Sequence, residues 1–432
     1  MTSEPDGDSP LRIAYLCYRG KPHVGGQGVY TRHLTKALVD LGHHVEVIGG
    51  QPYPVLDERV PLHKLPSLDI WNDQFPGRMP AYWELKSLAD LIEVTQFATV
   101  GTFSEPLAFS VRAWQFLKNR SGAFDIVHDN QSLGYGLLGI EKQLPTLVTL
   151  HHPITVDRRL EMEHAPNLWK KFGQARWYNF VKMQGRVARH MPRIVVVSEN
   201  SINDIEHDMK VPRSSMRLVP VGVDPELFRP LPHIARRPGR LITTASADVT
   251  LKGLSYLLEA IAKLRTERDV SLVVIGKRKP GGASDDAIRR LGLDDAVEFV
   301  TGVPDERIVE LYAEAELAVV PSLYEGFSLP AIEAMATGIA LVATTGGALP
   351  EVTGSDGDTV LACAPGDVDA LVATLRRGLD DAELRAAVGA RGRQRVVTRW
   401  SWRHTAIATV EQYREVLAMW HHKQHAPGGT AR

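Results

Sequence analysis

The stretch Leu317-Ala318-Val319-Val320-Pro321-Ser322-Leu323-Tyr324-Glu325-Gly326-Phe327-Ser328-Leu329-Pro330-Ala331-Ile332-Glu333-Ala334-Met335-Ala336 decides the fold. Its first four residues are an uncharged apolar run of strand length, the pattern of a strand buried on both faces. Glu325-Gly326-Phe327-Ser328 reads as a turn, and a helix is expected from Leu329 or Pro330. A buried strand leading through a tight turn into a helix is one step of a parallel α/β sheet. The turn falls at the strand's carboxyl end, where open sheets bind ligands. Glu333 lies in the first turns of the helix, with its side chain leaning back toward the N-terminus. Two carboxylates beside backbone N–H donors suit a polyhydroxylated ligand, one acid for sugar hydroxyls and the other for a ribose diol. A structural reading also fits: Glu325 caps the helix and Glu333 complements its dipole.

The same step repeats along the chain. Strands are expected at 12–17, 45–48, 126–128, 146–150, 194–197 and 217–219, with a helix at 26–41. After Pro230-Leu231-Pro232 and Arg236-Arg237-Pro238-Gly239, which read as a linker, strands recur at 241–244, 271–275, 297–300, 317–320 and 340–343. The expected fold is therefore α/β, with two Rossmann-like doubly wound domains at 11–232 and 236–395 facing each other across a cleft. Residues 396–420 are expected to form a C-terminal helix crossing back to the first domain. Residues 1–10 and 421–432 read as disordered.

Composition narrows the function. The 432 residues carry a formal net charge of -1, which gives no reason to expect a nucleic-acid partner. Cys17 and Cys363, the two cysteines, cannot build a disulfide framework or a metal cage. The acidic, polar start lacks the pattern of a signal peptide. No apolar run approaches the roughly 20 residues that span a bilayer.

Other candidate groups also follow strands. Gly25-Gly26-Gln27-Gly28 opens the first helix, where glycines and the helix N-terminus suit a diphosphate or simply a tight turn. As a dinucleotide fingerprint it is broken, because Thr31 occupies the third glycine position and the next strand ends in Gly49-Gly50. His151 follows the strand at 146–150 and could bond a sugar hydroxyl or cap the strand. His128-Asp129-Asn130 follows another strand and could bind an acceptor or satisfy loop backbone.

The Glu325–Glu333 spacing, with Gly-Phe-Ser-Leu-Pro between, resembles the E-x7-E motif of the family 4 retaining glycosyltransferases, which have the GT-B fold. The resemblance extends over nearly the whole chain and in order. It includes Gly25-Gly26, Asp125 to His128, Val148 to His151, Val197-Ser198-Glu199, Val219 to Asp224, Lys252-Gly253 and Gly346 to Glu351. It implies an acceptor-side first domain and a second domain that binds a UDP- or GDP-sugar as co-substrate, with no resident cofactor and no metal. His151 matches the histidine facing the donor sugar, Gly25 and Gly26 the amides over the diphosphate, and Lys252 its neutralising lysine. Glu325 matches the acid holding donor-sugar hydroxyls, with amides from Gly326, Phe327 and Ser328. Glu333 matches the ribose-binding acid, and Gly302-Val303-Pro304 the loop that cups the base. One departure concerns the diphosphate: Ser246 stands where the family usually has an arginine, and Lys277 is the candidate to supply that charge.

The resemblance implies sugar transfer to a hydroxyl acceptor with retention, in glycolipid, polysaccharide or small-glycoside biosynthesis, in a bacterial cytoplasm. A glycosidase would also use paired carboxylates, but the diphosphate loop and Lys252 argue against one. A phosphorylase would need a pyridoxal lysine. A catalytically idle sugar-binding scaffold finds its support in Ser246 alone. The acid-free stretch at 168–190, with Trp169, Lys170, Lys171, Phe172, Arg176 and Trp177, reads as an amphipathic helical region. Such a surface suits peripheral contact at the inner face of the membrane and a lipid-linked acceptor, or else a packed helix with a solvated basic face. Residues 66–120 read as an insertion over the acceptor side, with Trp71, Phe75, Tyr82 and Trp83 as stacking or packing aromatics.

Overall fold

The computed structural model describes residues 9–21, 26–70, 80–163, 165, 167–245 and 249–425. Gly25, Trp71, Phe75 and Ser246 lie outside the described residues. Two compact units emerge: one of residues 1–197, 202–219 and 403–432, the other of 198–201 and 220–402.

Among the described residues the first unit is built on seven parallel strands: β1 (Arg12–Cys17), β2 (His44–Gly49), β3 (Leu62–Lys64), β4 (Ile126–Asn130), β5 (Thr146–Leu150), β6 (Ile194–Val196) and β7 (Met216–Leu218), in the order β3-β2-β1-β4-β5-β6-β7. Ile13 pairs with Val45 on one side and Ile126 on the other. Ile13, Leu16, Val127 and Val148 are wholly buried, as helices on both faces require. Strand β4 runs two residues beyond the expected end because its polar residues are satisfied inside. Asp129 accepts from the backbone N–H groups of Ser132 and Leu133. Asn130 donates to the Gln27 carbonyl and Thr31 Oγ1.

The helix Glu105–Leu117 is no insertion. Leu107, Phe109, Ala113 and Leu117 belong to the core, so this helix is the ordinary crossover from β3 to β4. Tyr82 and Trp83 remain exposed. The basic aromatic stretch forms two helices with different environments. Phe180–Ala188 buries seven of its nine residues, whereas Leu168–Trp177 buries none.

The last helix, Trp402–His425, belongs to the first unit. It starts later than expected because Trp400 and Ser401 are extended, Ser401 bridging to Val223. It also takes in residues 421–425, contrary to the expectation of disorder. Lys423 reaches Glu141 at 3.1 Å, and basic side chains in a last helical turn complement the helix dipole. Midway along, the Tyr413 hydroxyl lies 2.6 Å from His128 Nδ1, while Thr149 Oγ1 lies 2.6 Å from Nε2.

The second unit has six parallel strands: β8 (Arg240–Thr244), β9 (Ser271–Ile275), β10 (Val297–Val300), β11 (Leu317–Val320), β12 (Leu341–Thr344) and β13 (Leu361–Cys363), in the order β10-β9-β8-β11-β12-β13. By proximity along the backbone, the second unit takes up the chain from Pro220. The Pro- and Arg-rich stretch is anchored within the second unit: Arg236 donates to the Ala315 carbonyl at 2.6 Å, and the Gly239 N–H to Glu316 at 2.7 Å.

Both sheets reverse their strand order beside their first strand, at β1/β4 and at β8/β11. Crevices open at such switch points. Because His128 is fully buried, Tyr413→Phe strands one ring nitrogen without its partner and should cost about 1–3 kcal/mol, read as a lowered thermal midpoint with the secondary structure retained.

Candidate functional site

In the second unit the candidate groups gather at the β8/β11 switch point. The single 3-10 turn Thr250–Lys252 follows β8 and ends at Gly253, whose φ of 65° is left-handed. A Cβ on Gly253 would lie 1.9 Å from the Pro321 carbonyl oxygen, so only glycine allows this approach. The Leu323 N–H donates to the Leu251 carbonyl at 2.7 Å, fastening the two strand ends together. Lys252 Nζ then donates to both Glu325 oxygens, at 2.8 and 3.0 Å, and Ser322 Oγ donates to the same carboxylate at 2.7 Å.

The turn after β11 is held from its other side too. Thr344 Oγ1 donates to the Ser322 carbonyl, and the Ala348 N–H to the Glu325 carbonyl at 2.9 Å. Gly347 packs so closely that a Cβ would sit 2.4 Å from that same carbonyl. Ser198 and Ser201 donate to the Gly326 carbonyl, and Phe327 is buried edge-on to Trp400. Ser328 caps the helix Leu329–Ala336 with φ 85°, an uncommon value for a residue with a side chain. Its buried hydroxyl meets no partner among the described residues. The first N–H groups of this helix likewise lack intrahelical acceptors. The result is a rigid concave turn with a cation, a carboxylate and amide donors.

Among the described residues no cation pairs with Glu333. Desolvation, with a smaller contribution from Asp305, pushes its carboxyl up to about 7. It neighbours Tyr312, whose hydroxyl lies 3.2 Å from Thr244 Oγ1. Val303 is half-buried in the loop between β10 and the helix Asp305–Glu314. Lys277 is exposed just beyond β9, whose exit presses against that of β8: a Cβ on Gly276 would lie 2.1 Å from the Ala245 carbonyl oxygen. Lys277 and Val303 thus follow the neighbouring strands β9 and β10, while Glu333 sits in the helix after β11, across β8 from them.

In the first unit the helix Gly26–Asp40 begins after β1. Gly26 is exposed and a Cβ on it would meet no described residue, whereas a Cβ on Gly28 would lie 2.0 Å from the Lys21 carbonyl oxygen. His151 stands at the end of β5. Its backbone N–H donates to Gln131 Oε1 and its Nε2 lies 2.8 Å from Asn130 Oδ1. Asn130 uses its own amide nitrogen toward Gln27 and Thr31, so its oxygen faces the histidine. Nε2 therefore carries the proton and Nδ1 is the acceptor nitrogen. Tyr30 packs edge-on against the ring at 4.7 Å. Desolvation, then the neighbouring His152, lowers the imidazole to about 3, keeping it neutral near pH 7. His128 is different in kind: with both nitrogens engaged inside the core it satisfies packing and takes no ligand.

Residues 24–227 match the family described as Glycosyltransferase Family 4, and residues 235–395 the family described as Glycosyl transferases group 1. The chain is 49% identical over 410 residues to the MMP alpha-(1->4)-mannosyltransferase of Mycolicibacterium hassiacum, a match covering 94% of this chain and 99% of that one. This chain is a family 4 glycosyltransferase. Its fold is GT-B. Sucrose-phosphate synthase from Thermosynechococcus elongatus superposes with a TM-score of 0.72 at 22% identity, covering 94% of this chain and 100% of that one. Anabaena HepE, solved with UDP and glucose, gives 0.68 at 16% identity, covering 93% and 99%.

The sequence reading of this glycosyltransferase did not single out several supporting residues. Asn130 orients His151, yet its polarity placed it in a loop. Tyr312 beside Glu333 has the spacing of a core residue. Thr344 sits at a strand end with no signal beyond its hydroxyl. One measurement bears on Glu333. Its raised value means that the folded state holds a proton the unfolded chain has lost, so stability falls as pH rises from about 4.5 to 7. The Glu333 carboxyl should titrate near pH 7 by carbon NMR in the ligand-free protein, and Glu333→Gln should remove that part of the stability slope. A midpoint near 4.5 would contradict the desolvation described here.

Proposed function

We propose that this glycosyltransferase moves a mannosyl residue, with retention, from a nucleoside-diphosphate donor to a hydroxyl of a carbohydrate acceptor. The observation that carries the reading is the Lys252–Glu325 pair fixed at the start of the helix Leu329–Ala336. The mannosyl choice is supported by the 49% identical relative.

The second unit takes the nucleotide. Glu333 above its shifted value accepts from the ribose hydroxyls, with Val303 against the base. Lys252 spends two N–H groups on Glu325 and keeps a third for the diphosphate. Lys277 and the amides of Gly326, Phe327 and Ser328 add to that cradle. Glu325 orients donor-sugar hydroxyls; in the first unit the neutral His151 presents Nδ1 as an acceptor for a sugar hydroxyl. The acceptor hydroxyl attacks the anomeric carbon on the face the diphosphate leaves. The C–O bond to phosphate breaks as the new glycosidic bond forms, and the departing β-phosphate takes the acceptor's proton. The protein's contribution is positioning and stabilisation of the charge growing on that phosphate.

Incubation with a panel of GDP- and UDP-linked hexoses tests this through slow donor hydrolysis and transfer to manno-oligosaccharides. Proton NMR of the product should show an α-linkage from an α-donor; an inverted anomer would sink retention. Lys252→Ala and Glu325→Ala should each lower turnover at least ~100-fold, the scale of lost charge stabilisation, with circular dichroism unchanged. Wild-type rates in either variant would refute the site.

A cytoplasmic enzyme with peripheral membrane contact is the accompanying reading. Among the described residues no helix is long and apolar enough to cross a membrane. The helix Leu168–Trp177 exposes Leu168, Trp169 and Phe172 beside Lys170 and Lys171, a combination suited to anionic headgroups. The full chain should sediment with phosphatidylglycerol-containing vesicles and not with phosphatidylcholine alone. The double variant Trp169→Ala, Phe172→Ala should stay in the supernatant.

A further inference from the structure

A cavity of about 830 Å³ opens within the first unit, beside the ends of β2 and β3. Its floor carries Arg112, which donates to Asp90 at 2.5 Å and to Glu93 at 2.7 Å. That guanidinium is matched by carboxylates, and Lys86 on the wall is offset by Asp69 and Glu84, so the cavity has no cationic excess to select an anion. Two carboxamides line it. Gln51 uses its oxygen for the Ser67 N–H at 2.8 Å, leaving its amide nitrogen as a donor, and Gln115 makes no bond to a described residue. Trp83 stands at the wall with 68% of its surface exposed, presenting a large apolar ring. Carboxamides and carboxylates for hydroxyls, with an aromatic plate for an apolar ring face, form a lining for neutral sugars. The volume falls in the range of small-molecule sites.

Position decides which sugars. In the order β3-β2-β1-β4-β5, the cavity lies three to four strands from the β5 end that carries His151. At about 4.8 Å per strand that is roughly 14–19 Å, farther than one sugar ring reaches. We infer that the cavity is an outer acceptor subsite, holding neutral sugar units of an oligosaccharide several residues away from the hydroxyl that reacts. The inference rests on the transferase reading above and adds that the acceptor is a chain, bound at two separated places.

Isothermal titration of the full chain without donor, using mannose and α-(1→4)-linked mannotriose and mannopentaose, tests it. Affinity should rise with length by at least about tenfold. Trp83→Ala and Gln115→Ala should erase that gain for the pentaose while leaving mannose binding and slow donor hydrolysis unchanged. Equal affinity for all three sugars, or a wild-type length dependence in both variants, would overturn the subsite while donor hydrolysis upheld the transferase. Tight pentaose binding without any donor turnover would instead sink the transferase reading and leave a sugar site standing.

Discussion

Connections between parallel strands turn in one hand, so a sheet that grows both ways from its first strand sends neighbouring crossovers to opposite faces. At β8/β11 that reversal parts the loops and leaves a crevice between them. The crevice keeps its shape because Gly253 has no side chain and can lie against the Pro321 carbonyl. From that contact follow the Leu251–Leu323 hydrogen bond, the reach of Lys252 to Glu325, and the placement of the helix start behind them. A methyl group at one position would push the cation away from the carboxylate it serves.

The two acids of the motif share a helix start and differ in their surroundings. Glu325 is held by a lysine and a serine; Glu333 is desolvated beside Tyr312 and Asp305 and holds its proton to about pH 7. Environments that separate two carboxyls in this way assign them separate tasks. In the other unit His151 is kept neutral by burial and oriented by Asn130, so that its ring offers one fixed acceptor and one fixed donor.

Much of this was legible in the sequence. The strands 12–17, 146–150, 271–275, 297–300 and 317–320 match the structure residue for residue, and most of them are the short apolar runs that a parallel sheet buries. Leu62–Lys64, with two polar residues in three, and Leu361–Cys363 escaped notice. Asp129 and Asn130 were hidden by their polarity, since only the fold supplies the partners that let them enter a strand. The boundary at Val219 and the helix reaching His425 depend on contacts distant in sequence, which no local pattern encodes.

From Arg403 on, the helix Trp402–His425 brings the chain back to the first unit after the second has been passed. His128 and Tyr413 are separated by 285 positions, with the whole second unit translated between them. At ribosomal speeds of about 5–20 residues per second, the β4–β5 region waits roughly 15–60 s for its last covering element. During that interval a surface meant to be dry faces water. The nascent first unit thus depends on its own final segment as a late-arriving subunit, delivered in cis.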